Sequence, residues 1–407
     1  MSNPLGGLAR RASFIDSVRQ EGCGVCIVDA GDFIAREGRI SDKNSIQLRI
    51  AAEFMLQAMD RLGYAAANVG EGDLVFGDSF LAGIAEGLDV QLVSASVFAG
   101  GARPFAPARM FTTAGITIGI AGIAWEGFTP YVAEHSDPGR PMAMAATADA
   151  MREGLEEIAG ADVKVLLAHA PLSELRILLA DIPGYDIAIA GHDTNMEPFA
   201  EPELAGATRL VNRGWDGTHA GRLDLTFDRT GALIAVAGSA VLLDAAWPDH
   251  PDMLTLHADY LARVAAALRD ILAEYPVSPP PTGTRYAGVQ SCVTCHPVQW
   301  GSWRQTTHAL AWQTLVERSR DYDPECFACH TNGFQWTGGF TLYEDTPAMA
   351  AVQCESCHGA GADHCDAPLL PYSRPGEAAC LRCHVPLHSP EFDYGTYLPK
   401  VAHPKAP

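Results

Sequence analysis

The chain has 407 residues, more than one domain ordinarily holds, and a formal net charge of −21. That charge excludes nucleic acid and anionic membrane surfaces as natural partners, since both repel an acidic protein. Hydrophobic residues make up 48% of the sequence, yet no apolar run approaches the roughly 20 residues a spanning helix needs.

Residues 1–245 alternate helical and strand patterns. A helical stretch at 8–19 leads to an apolar strand at 25–30, which ends in the loop Gly31-Asp32. An amphipathic segment follows at 45–62, with Ile46, Ile50, Phe54 and Leu62 close to helical spacing. Short apolar strands recur at 65–69, 90–97, 116–123, 163–168 and 187–190, with helical stretches at 79–88, 143–158 and 172–179. This alternation, with polar residues at several strand ends, predicts a layered α/β domain. Strands at 221–227 and 232–243 predict a closing hairpin.

Met253, Leu256, Tyr260, Val264, Leu268 and Leu272 lie on one face of a helix predicted over 253–272. The proline-rich stretch at 275–284 cannot continue that helix and tends to stay extended. The chain therefore divides into an α/β domain at 1–250, a helix and linker at 251–285, and a second domain at 286–407.

The second domain repeats one five-residue pattern: CVTCH at 292–296, CFACH at 326–330, CESCH at 354–358 and CLRCH at 380–384. In CxxCH the two thiols add across the vinyl groups of a haem and the histidine reaches back to the iron. A zinc ribbon would not require a histidine after every pair. Cys292, Cys295 and His296, Cys326, Cys329 and His330, Cys354, Cys357 and His358, and Cys380, Cys383 and His384 therefore predict four haem c groups. The remaining histidines of this domain are His308, His364, His388 and His403, as many as the distal positions of four irons. Bis-histidine ligation is expected for most haems, without an assignment of each histidine. If one or two are surface residues, an iron is left open. About 120 residues around four haems predict a small, mostly helical and irregular domain with porphyrin in its core. Trp300, Trp303, Trp312 and Trp336 fit as ring-packing residues or as ordinary core.

Eight of the eleven cysteines belong to these motifs. Covalent haem attachment is normally completed outside the cytoplasm, so a periplasmic or extracellular protein is expected. Met1 is not followed by a basic and apolar leader, so the leader is expected to be removed or the start to lie upstream. Cys23 and Cys26 lack a following histidine and read as a disulfide or as buried thiols, and Cys365 reads as a shielded thiol. His135, His219, His250 and His257 carry no motif and read as surface or helix residues.

Through the segments CVTCHPVQWGSWRQTTHA, YDPECFACHTNGF, VQCESCHGAGADH and CLRCHVPLHSPEFDY, residues 286–403 resemble the multihaem cytochrome c-554 family. That resemblance implies stacked, closely spaced haems, electron transfer, and His308 as a distal ligand, with His364 and His403 sharing the role. Residues 1–245 resemble the metallophosphoesterase domain of the 5′-nucleotidase family through GGLARRASFIDSVR, IVDAGDFI, NVGEGDLVFG, VLLAHAP, IAIAGHDT and GRLDLTF. Such enzymes hold two metal ions at strand ends, which polarise a phosphate and activate a water. By this resemblance Asp32 matches the bridging carboxylate, and His169 and His192 match two metal histidines. The family's first Asp-x-His would lie before GGLARR. Where the family has Asn-His-Glu this chain has Glu71-Gly72-Asp73, and Thr194 replaces the last His or Gln. Glu71 remains as an oxygen donor, so Asp32, Glu71, His169 and His192 leave room for one divalent ion, zinc, manganese or iron.

The leading expectation is an exported electron carrier with four c-type haems and an inactive phosphoesterase-like domain as scaffold, docking surface or sensor. A redox partner protein or quinol oxidoreductase is the expected partner. The alternatives are an active metal-dependent hydrolase with an attached redox module, and a haem enzyme converting a small nitrogen or sulfur compound at an open iron.

Overall fold

The computed structural model describes residues 6–35, 45–192, 202–212, 217–318, 320–369, 372–386 and 388–404. It forms two compact units, Met1–Ser41 with Leu48–Tyr260, and Asp42–Gln47 with Leu261–Pro407.

In the first unit α1 (Leu8–Gln20) leads to β1 (Ile27–Asp29), α2 (Ser45–Arg61) to β2 (Tyr64–Asn68), and α3 (Asp78–Ala85) to β3 (Gln91–Val93). These three strands pair in parallel in that order. The chain continues through β4 (Val97–Ala99), β5 (Ala108–Thr113), β6 (Ile116–Ala124), α4 (Thr129–Glu134), β7 (Met142–Met144), α5 (Thr147–Glu157), β8 (Val163–His169), α6 (Leu172–Asp181), β9 (Ile187–Gly191), β10 (Glu203–Ala205) and β11 (Thr208–Asn212). A six-stranded sheet runs in the order β10-β11-β9-β8-β6-β5, parallel through its centre and antiparallel at both edges. β12 (His219–Phe227) and β13 (Leu233–Leu242) form a separate antiparallel pair, as do β4 and β7.

The two faces of the central strands explain the layering. Along β8, Val163, Val165 and Leu167 pack with Ile118 and Ile120 of β6 and with Ala65, Ala66 and Val93 of the small sheet, so the two sheets face each other. The intervening Leu166 and Ala168 point the other way, joining Ala121, Ile123, Met151 of α5 and Leu172, Leu175 and Leu179 of α6. A third cluster packs Ala12 and Ile15 of α1, Leu56 and Met59 of α2 and Leu81 of α3 around Ala67 and Leu92 of the small sheet. Strands covered on both faces read as continuous apolar runs, which is why 163–168 and 116–123 are legible as strands.

The differences from expectation are local. The stretch 90–97 divides into β3 and β4, and 143–158 into β7 and α5. The half-exposed β5 lacks a strong apolar pattern; it exists because Ala114 and Gly115, with φ of 49° and 80°, turn the chain back on β6. The helix expected over 253–272 breaks at Ala267 (φ −89°, ψ 0°) into α7 (Pro251–Ala266) and α8 (Leu268–Ala273).

The second unit is built from short helices and irregular chain. α9 (Gln290–Val293), α10 (Pro297–Trp303), α11 (Ala311–Val316), α12 (Pro324–His330), α13 (Cys354–His358), α14 (Ala362–Asp366), α15 (Glu377–Cys380) and α16 (Tyr394–Val401) follow in order. Its apolar cluster gathers Trp312, Leu315, Phe327, Phe334, Phe340 and Ala351, so Trp312 serves as ordinary core, stacked at 5.2 Å on Tyr343. No described helix is long and apolar enough to cross a membrane.

Candidate functional site

Four parallel strands deliver the polar cluster of the first unit at their carboxyl ends, the usual location for function in open α/β sheets. Asp32 lies three residues beyond β1, Glu71 three beyond β2, His169 ends β8, and His192 follows β9 directly. His169 Nε2 stands 3.3 Å from Asp32 Oδ2 and 3.1 Å from Glu71 Oε2, while His192 Nδ1 stands 3.2 Å from Glu71 Oε1. All four residues expected here are thus brought together. Asp32 and His192 both hold left-handed backbone, with φ of 60° and 79°, a conformation that non-glycine residues keep only when their surroundings impose it.

Asp73, not singled out from the sequence, imposes it on the Asp32 loop. Its fully buried carboxylate accepts hydrogen bonds from the backbone N–H of Asp32 (2.8 Å), Ile34 (3.0 Å) and Gly70 (2.9 Å). Phe128, also unforeseen, walls the cluster with its ring centroid 4.7 Å from that of His192. Thr194 lies outside the described residues.

Burial alone would push Glu71 up, but the adjoining His169 and His192 more than offset it and hold the carboxyl down at about 2. Burial would lower His169, and Asp32 and Glu71 override it to raise its value well above the ordinary imidazole range. Glu71 and His169 are each about 1% exposed, yet both Glu71 oxygens and His169 Nε2 complete no hydrogen bond among the described residues. Buried polar atoms are rarely left so, because each costs about 1–3 kcal/mol. Donors of one metal ion, each about 2 Å from it, lie about 3 Å apart, which is the spacing seen here. The residues fit a divalent ion of the zinc, manganese and iron class.

In the second unit the four CxxCH motifs bring their histidines into pairs. Ring centroids lie 6.2 Å apart for His296 and His364, 6.1 Å for His308 and His384, and 5.8 Å for His358 and His403. Two imidazoles on opposite sides of one metal, each nitrogen about 2 Å from it, place their centroids about 6 Å apart. The Nδ1–H groups find partners: His330 donates to the Ala311 carbonyl (2.8 Å), His358 to the Ser373 carbonyl (2.7 Å) and His384 to Ser389 Oγ (3.1 Å). That fixes the tautomer and leaves Nε2 for iron. Burial pushes His308 and His384 down, and His358 likewise, toward the neutral form a ligand needs. The donor set fits c-type haem.

The remaining candidates lie outside these groupings. His388 is exposed and makes no histidine ring contact among the described residues, and none faces His330 either. Cys365, read as a shielded thiol, is exposed, as is Cys23 of the Cys23/Cys26 pair. Burial pushes the Cys26 thiol up to about 12.

The family described as cytochrome c554 and c-prime matches residues 291–359. Cytochrome c-554 of Nitrosomonas europaea is 35% identical over 91 residues, 19% of this chain and 39% of that protein. The 5′-nucleotidase of Mus musculus is 23% identical over 270 residues, 60% of this chain and 45% of that one. The chain joins a 5′-nucleotidase-like metallophosphoesterase fold to a cytochrome c554-like segment. The crystal structure of a 5′-nucleotidase precursor from Thermus thermophilus shares the phosphoesterase fold, with a TM-score of 0.52 and 22% identity over 74% of this chain and 62% of that one. The chain spans less than half the length of the curated relatives named here.

Proposed function

We propose that this protein is an exported electron carrier whose cytochrome c554-like segment holds four c-type haems. The observation that carries the reading is the set of three imidazole pairs about 6 Å apart, each including one CxxCH histidine. Cys292/Cys295, Cys326/Cys329, Cys354/Cys357 and Cys380/Cys383 would hold the porphyrins, with His296, His330, His358 and His384 as proximal ligands. His364, His308 and His403 would be distal to the first, fourth and third motifs. When bound, haem iron supplies one-electron exchange between its ferric and ferrous states. The packing supports an order of neighbours: Cys292 adjoins Cys354, α13 packs against α15, and Cys329 adjoins Cys383, so the motifs would succeed one another as first, third, fourth and second. A redox protein or quinol oxidoreductase is the partner proposed for such a carrier.

The phosphoesterase-like unit is read as a metal-holding scaffold without hydrolytic turnover, because Gly72 offers no imidazole to a developing charge. A second reading is favoured by His330, whose iron would keep an open position able to take a small ligand such as carbon monoxide or nitrite.

The test is protein matured in an exporting host. Mass measurement is expected to show four acid-resistant haem additions, and EPR three low-spin centres. Three or fewer covalent haems at full occupancy sink the carrier assignment, whereas carbon monoxide binding at one centre supports the second reading.

A further inference from the structure

We propose that Glu71, rather than Asp32, is the carboxylate that spans the strand-end metal centre, so that one side chain serves both imidazoles. This rests on reading the Asp32, Glu71, His169 and His192 cluster as a divalent-cation site. The two oxygens of Glu71 address different partners, Oε2 toward His169 Nε2 at 3.1 Å and Oε1 toward His192 Nδ1 at 3.2 Å. Both oxygens are buried and complete no hydrogen bond among the described residues.

Asp32 is placed differently. Its Oδ1 accepts a hydrogen bond from the Gly72 N–H at 2.8 Å, leaving only Oδ2 aimed at His169. An oxygen that already accepts a backbone N–H has one lone pair fewer for a metal and is held in place by that bond, so Oδ2 is the freer donor of Asp32. Gly72 is what permits that arrangement, since a Cβ there would collide with the backbone carbonyl oxygen of Ala35 and press against Asp32 Oδ1. The chain following β1 therefore packs where a side chain at position 72 would begin. The same substitution that removes a side chain from the centre also ties down Asp32 and hands its spanning role to Glu71.

The consequence is electrostatic. A carboxylate binds a divalent ion more strongly than an amide at the same position, and it leaves the loaded centre with one more negative charge, which disfavours an anionic phosphoester. The ligand recognised is the bare divalent cation, of the zinc, manganese or iron class.

The holoprotein, haems in place, is stripped of divalent ions by a chelator and titrated with Mn²⁺, free ion being read from its EPR signal at room temperature. Wild type is expected to take up Mn²⁺ and to release it to competing Zn²⁺. Glu71→Gln, of equal size, is expected to weaken uptake by roughly 100-fold or more, and Asp32→Asn by less. Glu71→Asp keeps the charge but shortens the reach, so its affinity should fall between wild type and Glu71→Gln. Haem spectra and the unfolding midpoint monitor the fold of each variant. The spanning role is overturned by Glu71→Gln or Glu71→Asp binding within about threefold of wild type, or by Asp32→Asn losing more affinity than Glu71→Gln. Failure of wild type to bind Mn²⁺ or Zn²⁺ at all overturns the cation reading and the proposal with it.

Discussion

His308 and His388 differ by their environment, and that difference can be measured. His308 is half-buried with its ring 6.1 Å from His384, whereas His388 is exposed. His308→Met should raise one haem's midpoint potential on the order of 100 mV and leave the other three near their original values, because thioether ligation favours ferrous iron. His388→Ala should leave the EPR spectrum unchanged; the appearance of a new high-spin centre would show His388 to be a distal ligand after all. Tyr372 makes a second case. Its ring stacks on His364 at 5.0 Å and 8° and on His358 at 5.6 Å and 18°, so it links two imidazoles that, in the proposed assignment, serve the first and the third motif. Tyr372→Phe should preserve both potentials. Tyr372→Ala should shift those two centres together, and a redox titration resolving only one displaced centre, or none, would count against the stacking role.

At the scale of elements, α13 is anchored by a residue inside its own haem motif. Glu355, about 1% exposed, accepts hydrogen bonds from the backbone N–H of Ala287 (2.8 Å), Gly288 (2.8 Å) and Gly361 (2.7 Å) and from Asn332 Nδ2 (2.8 Å). One side chain thus ties the segment before α9, the turn after α12 and the start of α14 to the third motif. Glu355→Gln would aim an amide NH₂ at donors, and the expected loss is about 3 kcal/mol of unfolding free energy, read by chemical denaturation of the haem-loaded protein. Nothing in CESCH announces this, since the x positions of the motif are free as far as haem attachment is concerned. The four partners are brought to Glu355 by tertiary packing, from sequence separations of 6 to 68 residues. The same holds for Asp73, whose three backbone donors belong to two different loops.

For the whole molecule the expected outcome is a haem protein with a silent phosphoesterase-like unit. Hydrolysis of nucleoside monophosphates and of model phosphate diesters should be negligible with added manganese or zinc, while Mn²⁺ binding persists. Turnover that is abolished by both Asp32→Ala and His192→Ala would reverse this. The sequence alone determined the four CxxCH motifs, because attachment to a porphyrin requires that spacing locally. It also determined the α/β layering, because strands buried on both faces leave continuous apolar runs. Asp32, Glu71, His169 and His192 were legible through the resemblance of their flanking motifs to the 5′-nucleotidase family, although 137 residues separate Asp32 from His169. Only the tertiary structure decided which histidine rings lie against one another, that His388 stands apart from them among the described residues, and that Asp32 Oδ1 meets the Gly72 N–H while both Glu71 oxygens face imidazoles. Those outcomes depend on how loops without periodic pattern pack against one another, and residues distant in sequence carry no local signal of the neighbours they will meet.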